Sequence, residues 1–329
     1  MTQGLFTVEE VSSMIRSENK LLLAGDVKLL SQLPKGNWIG GSTPYFILNQ
    51  GCRVTSSDKI FVNQLPDFVT ETVVKEYDET NIQTIFNDGP ENGFTVLIMP
   101  YNSLVSVEYA LNATNYENFA AHPVCGWCSG QPMEVLHTEK ACTASGIASD
   151  IYTDKAVAMH VSLPENKYAE IHIYSPYKQG NGDVITFDYE GMTLKDAFIN
   201  GVKRNFAEYL REINHNMFRP IVADYCGAQI NVVSCDISQD ELQMTAPVFK
   251  SLEYRIAAIN DNIVEPSMAD ERIVFSVTCV GFFIQPDLCE QYLKKMNGPV
   301  VFSEIAYQLV GQTTVYVTID DATLNTETL

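Results

Sequence analysis

The sequence predicts an α+β (mixed α/β) protein, rich in strands with a few flanking helices. Three observations carry this. Apolar residues fall mostly in short runs of strand length, such as Phe94–Met99 and Ala156–Leu163. Beyond residue 215 the chain reads mainly as strand. Strands and helices also follow one another without the regular alternation of a doubly wound fold. The chain has 329 residues, 46% hydrophobic and 19% charged, enough for one large core or two ordinary ones.

The elements follow in order. Thr7 with Glu10 three residues on has capping-box spacing, and Val8, Val11, Met14 and Ile15 then share one helical face. Leu21–Gly25 reads as a short buried strand, and Asp26 caps a helix of two turns that ends at Leu33-Pro34. Strands are expected near 60–62, 68–75, 82–87 and 94–99. A helix fits Ser103 to Leu111, with Leu104, Val107 and Leu111 on one face. A strand is expected at 119–124 and a helix from Pro132 to Ala144. Strands follow at 156–163 and at 168–174, where alternation indicates half-burial. Gln179–Asp183 is a turn. The longest helix is expected from Thr193 to His215 on the stripe Leu194, Ala197, Phe198, Val202, Phe206, Tyr209, Leu210 and Ile213. Strands near 220–225, 229–237, 272–284 and 315–319, and a helix from Pro286 to Met296, complete the chain. The reading in two halves of similar size cuts at 1–190 and 191–329, the second opening on the long helix.

The charge balance narrows the partners. Forty-one acidic and 21 basic side chains leave −20 at neutral pH. Nucleic acids and anionic membranes need a Lys/Arg footprint, so neither is expected as a partner. No apolar run reaches the roughly 18 residues of a membrane span. The first residues show no basic region followed by an apolar block, so no secretory signal is read there. The eight cysteines are scattered, several of them inside apolar runs, as free thiols in a cytoplasmic protein would be.

The sharpest motif is His122-Pro123-Val124-Cys125-Gly126-Trp127-Cys128-Ser129-Gly130. A Cys-x-x-Cys pair at a helix start lowers a thiol pKa and supports dithiol redox chemistry. Gly126-Trp127-Cys128-Ser129-Gly130 also has nucleophile-elbow spacing, with Cys128 in the serine place. His122, Cys125, Cys128 and His137, with Cys142 nearby, are soft ligands sufficient for tetrahedral zinc, although their spacing matches no zinc family. The plain alternative makes Cys125, Trp127 and Cys128 core residues of a Gly-bounded bend.

Two further segments suggest a ligand site. Gly36–Phe46 is rich in turn formers. There Gly40-Gly41 permits close approach of a ligand carboxylate beside Trp38, the alternative being a structural turn. Glu304, in an apolar and hydroxylic stretch with Tyr307 and Gln312, is costly to bury without a partner and can hold an amino or guanidino group. The alternative is a capping or surface Glu. Phosphate-binding and dinucleotide motifs are absent, so no cofactor is expected.

Three stretches carry a resemblance. Leu21–Asp26 through Leu33-Pro34-Lys35-Gly36-Asn37-Trp38-Ile39-Gly40-Gly41 and Pro44-Tyr45-Phe46, Ala246–Phe249 with Glu253–Arg255, and Gly298–Thr318 resemble an uncharacterised bacterial family of about this length. Separately, Phe275-Ser276, Ser303-Glu304-Ile305 and Gly311-Gln312-Thr313 are similar to the C-terminal pattern of FIST sensory domains. The sequence departs from that pattern at Val277, Ser303 and Gly311, where the family carries Cys, Gly and Asn. The FIST resemblance implies an α/β domain that binds small ligands such as amino acids in bacterial signalling. The leading expectation is therefore a small-ligand-binding, sensory protein without catalysis, using Trp38, Gly40, Gly41, Glu304, Tyr307 and Gln312. The competing one is a thiol-dependent enzyme using Cys128 or the Cys125/Cys128 pair.

Overall fold

The computed structural model describes residues 2–48, 51–136, 138–225, 228–237, 240–260 and 262–322. The chain divides into two compact units. The first comprises residues 1–173, 266–308 and 314–329, and the second residues 174–265 and 309–313. The first unit thus takes in chain from both sides of residue 190. The fold is α+β, as its composition of short apolar runs predicts.

In the first unit, one sheet has the order Gln3–Phe6, Ile60–Gln64, Leu21–Gly25, Trp38–Ser42, Thr143–Ser145 and Asp150–Tyr152. The helix Val8–Arg16 begins at the predicted box. Glu10 N–H donates to Thr7 Oγ1, and Thr7 N–H donates to Glu10 Oε2 at 2.8 Å. Its Val11 and Ile15 pack with Leu21, Leu23, Leu30, Trp38, Ile60 and Val62 in one core. A second sheet runs Ser303–Ala306, Val124–Ser129, Gly93–Pro100, Ala156–Ser162 and Glu71–Tyr77. Every residue of Gly93–Pro100 is buried, which is why this strand reads as a continuous apolar run rather than an alternating one. A third sheet runs Lys167–Tyr174, Thr314–Asp321, Ile273–Cys279, Gly298–Val301, Tyr45–Leu48 and Cys52–Thr55. Each of these sheets holds a parallel pair among antiparallel neighbours.

The second unit has a larger sheet around Tyr254–Ile259 and a three-stranded sheet of Gly191–Leu194, Leu242–Val248 and Ser234–Ile237. Here the structure corrects the sequence reading most. The expected helix 193–215 is three strands, Gly191–Leu194, Asp196–Ile199 and Val202–Asn205, with only Phe206–Glu212 helical. The cause is Asn200-Gly201. Both have positive φ, 48° and 83°, and they close a two-residue hairpin pairing Ile199 with Val202. An Asn-Gly turn of this kind outweighs the helical stripe.

Smaller corrections share a logic. Residues 132–144 hold a 3-10 turn, Met133–Val135, and then a strand whose Ala144 pairs with Gly40. Residues 82–87 hold the 3-10 turn Ile82–Thr84, and 119–124 gives way to a strand starting at Val124. The Asp26-capped helix is a single turn, Val27–Leu30, and Ile273–Cys279 passes into the helix Val280–Phe283. Gly36–Phe46 is not a loop but mostly the strands Trp38–Ser42 and Tyr45–Leu48. Among the described residues no helix is long and apolar enough to cross a membrane.

Candidate functional site

The cysteine motif is strand, not helix start. Cys125 and Cys128 lie in Val124–Ser129, both fully buried, and an odd offset along a strand turns them to opposite faces. The Cys125 thiol points at the Thr95 carbonyl at 3.5 Å. Burial pushes both thiols well above the ordinary cysteine range, and Glu304 raises Cys128 further. A nucleophilic thiolate needs the reverse. His122 turns to Thr95 Oγ1 at 3.3 Å. His137 lies outside the described residues. Among the described residues no three His, Cys, Asp or Glu side chains form a metal-sized cluster. Iodoacetamide at neutral pH is expected to modify the exposed Cys52 while Cys125 and Cys128 stay unlabelled in native protein. Peptide mass mapping checks this, and early label on Cys128 would revive a thiol mechanism.

Gly41 and Glu304 both border Trp127. A Cβ on Gly41 would stand 2.7 Å from Ile98 Cγ2, 2.9 Å from Trp127 Nε1 and 3.0 Å from Ser129 Cβ. Glycine there lets the first sheet close onto the second. Glu304 lies directly opposite Trp127 in register and is fully buried, in contrast to a surface or capping Glu. The Trp127 ring stacks on Phe275 at 5.7 Å, and its Nε1–H has no hydrogen-bond acceptor among the described residues. Gly40 packs against Leu23 and Leu30. Trp38 is core, its Nε1–H donating to the Pro34 carbonyl at 2.9 Å. Tyr307, half-buried with φ 61°, accepts at its carbonyl from Tyr109 Oη at 2.7 Å. Gln312 belongs to the second unit. It is fully buried with φ 53°, and its amide donates to the Phe218 carbonyl at 3.0 Å.

A concavity of the first unit lies apart from these residues. A cleft of about 870 Å³ opens between the Gln3–Phe6/Ile60–Gln64 edge and the start of Ile273–Cys279. The amides of Gln3, Asn63 and Gln64 line it, and the first two belong to a hydrogen-bonded chain that reaches Asn297 behind the wall. Asn297 Nδ2 donates to Gln3 Oε1 at 3.4 Å, Gln3 Nε2 to Asn63 Oδ1 at 2.9 Å, and Asn63 Nδ2 to the Val274 carbonyl at 2.7 Å. Mutual bonding locks these side chains and so preorganises the wall. Leu65, Phe68, Met268 and Ile273 supply apolar surface, and Asp67, Asp270 and Glu271 supply carboxylates without a basic residue in the lining. Asp270 is held below the ordinary carboxyl range by Arg272, whose Nη2 lies at 2.6 Å. Sequence reasoning missed this cleft because its residues come from three distant segments, none with a motif. A shallower trough of about 760 Å³, lined by Gly51, Cys52, Arg53, Asp287, Glu290 and Lys294 among others, lies on the third sheet's edge.

A family model matches residues 6–320, spanning all three stretches that carried the first resemblance. The chain belongs to DUF6976, a family of unknown function. No curated protein matches it. For a DUF6976 member the site geometry therefore carries the functional argument.

Proposed function

We propose that the protein binds a small organic ligand without transforming it, as a cytoplasmic ligand-binding or sensory protein. The observation that carries this reading is the amide-walled cleft. Its volume falls within the roughly 300–1,000 Å³ of small-molecule sites, and it combines apolar surface with a few fixed polar groups. The lining favours a neutral or cationic ligand with N–H or O–H groups and a short apolar part, an amino acid or amine among them. The burial of both motif thiols favours this over thiol catalysis. The FIST resemblance of the C-terminal pattern points the same way.

Thermal unfolding against amino acids, amines and polyols tests it. A true ligand at 100 times its Kd adds about 2.7 kcal/mol of stability. Gln3→Ala and Asp67→Asn are expected to weaken that ligand about tenfold; the exposed Asp67→Asn shifts ligand-free stability by no more than about 0.5 kcal/mol, whereas Gln3→Ala costs about 1–3 kcal/mol because buried Asn63 loses its donor. Absence of any stabilising compound, or full binding by both variants, would remove the cleft as the site.

A further inference from the structure

The chain holds four Asn-Gly sequences, at Asn92, Asn181, Asn200 and Asn297. Such a pair carries its own reactivity. The glycine nitrogen, unshielded by a side chain, can attack the amide carbon of the asparagine and close a five-membered imide. Two conditions decide whether a folded chain permits this. The amide must be free to swing toward the following nitrogen, and that nitrogen must not be held by the fold.

Three of the four sequences fail them. Asn92 Nδ2 donates to the carbonyls of Leu163 at 3.3 Å, Pro164 at 3.0 Å and Lys167 at 3.0 Å, and Gly93 is buried at the start of its strand. Asn200 Oδ1 accepts from Val184 N–H at 2.9 Å, and its Nδ2 donates to Asp183 Oδ1 at 2.8 Å. Its left-handed backbone, φ 48°, also turns the Gly201 nitrogen away from the side chain. Asn297 Nδ2 donates to Gln3 Oε1 at 3.4 Å, and Gly298 is buried in a strand where it pairs with Ile47.

Asn181 meets both conditions. It stands exposed with Gly182 in the turn between Tyr177–Gln179 and Ile185–Thr186. Among the described residues neither its amide nor the Gly182 N–H makes a hydrogen bond. A Cβ at Gly182 would meet nothing within 4 Å, so no neighbour crowds the approach. The surrounding groups are tied down by contrast. Gly180 N–H donates to the Ile256 carbonyl at 3.2 Å, the Gly182 carbonyl accepts from Arg255 Nη1, and Asp183 Oδ2 accepts from Tyr209 Oη at 3.0 Å.

We propose that Asn181 is a self-modification site. The Gly182 nitrogen bonds to Asn181 Cγ, the Cγ–Nδ2 bond breaks, and the Gly182 proton leaves with the amide nitrogen as ammonia. Solvent water then opens the imide. Cleavage between the Gly182 nitrogen and Cγ gives aspartate, and cleavage at the main-chain carbonyl gives isoaspartate, with the backbone running through Cβ. No electrons change hands and no cofactor enters. Either product puts a carboxylate where a neutral amide stood, two residues before Asp183. Isoaspartate also adds one carbon to the backbone between Gly180 and Asp183, and because both are tied the turn must absorb it. The change lies within the second unit and alters no residue of the cleft lining.

Peptide mass mapping of full-length protein held at mildly alkaline pH, native and in guanidinium chloride, tests this. Enzymatic methylation distinguishes isoaspartate from aspartate. In the denaturant all four sequences are expected to convert at comparable rates, because glycine follows each asparagine. In native protein Asn181 is expected to stay within about threefold of its denatured rate, whereas Asn92, Asn200 and Asn297 slow at least about tenfold, since each must first open locally. Gly182→Ala, for which the turn has room, is expected to slow Asn181 at least about tenfold by shielding the nitrogen. A larger slowing of native Asn181, a smaller slowing at any of the other three, or an unchanged rate in Gly182→Ala overturns the proposal.

Discussion

Replacing Gly126 with alanine is expected to cost about 3–5 kcal/mol or to abolish soluble expression. Gly126 sits mid-strand in Val124–Ser129 with φ 144°, a conformation L side chains rarely adopt. Its partner across the parallel ladder is Leu97, and an added Cβ would stand 1.8 Å from the Leu97 carbonyl oxygen. Neither backbone can withdraw, because Gly93–Pro100 is buried throughout and its other edge pairs with Ala156–Ser162. Relief therefore requires breaking ladder hydrogen bonds at the centre of the second sheet. Urea unfolding of the variant measures the loss, and Gly182→Ala is the control. A Cβ at Gly182 meets nothing within 4 Å and is expected to change stability by less than about 0.5 kcal/mol. Equal midpoints for the two variants would show that the strand tolerates a side chain there.

This position also shows what a motif reading could and could not see. Gly126 was legible as one of two glycines framing Cys128, and the catalytic patterns it matches require a strand followed by a helix. The strand is present, but it runs through Cys128 to Ser129, and only a 3-10 turn, Met133–Val135, follows. What selects the outcome is pairing with Gly93–Pro100 on one side and Ser303–Ala306 on the other. The latter lies far away in sequence, so no local pattern reports it.

Signals that act within a few residues were legible. The Thr7/Glu10 box forms as spaced, the helix expected from Ser103 to Leu111 is present as Leu104–Asn112, and Asp26 accepts from Lys28 N–H at 2.8 Å. Phe94–Met99 announced its strand because both of its faces are covered. Apolar stripes were less dependable. Leu194, Ala197, Phe206 and Leu210 are buried as a helix would bury them, yet the first two lie on strands. Val202 and Ile213 of the same stripe are exposed, so periodicity identified only part of the inward set, and only Asn200-Gly201 could identify the backbone that turns at this point. Gly40-Gly41 was misread for a related reason. Glycines that permit close approach of a ligand also permit close approach of another sheet, and Ile98 and Trp127 fill the space. The cleft stayed hidden because Gln3, Asn63 and Val274 meet only through sheet edges.

The buried histidines give the second large effect, a loss of stability in mild acid. Burial depresses the His160 pKa to about 4, with Lys75 and His122 lowering it further and Asp88 opposing, against about 6.5 in the unfolded chain. Above the unfolded value both states hold a neutral imidazole and the stability is fully present. As pH falls from about 6.5 toward about 4, the unfolded chain binds a proton that folded His160 refuses, so unfolding gains. Two to three units at about 1.4 kcal/mol each amount to about 3 kcal/mol lost across that window, a substantial part of the ~5–15 kcal/mol of an ordinary domain. His122 and His215, both also depressed by burial, shift the balance in the same direction. Urea unfolding at a series of pH values between about 7.5 and 4 should therefore show a falling midpoint. His160→Gln keeps a hydrogen-bonding side chain but cannot take up the proton, so its curve should be flatter, although lower at neutral pH because Tyr77 and Thr95 lose a well-placed partner. A parallel decline in the two proteins would place the acid sensitivity outside His160, with the paired carboxylates Asp88 and Asp270 as the next groups to test.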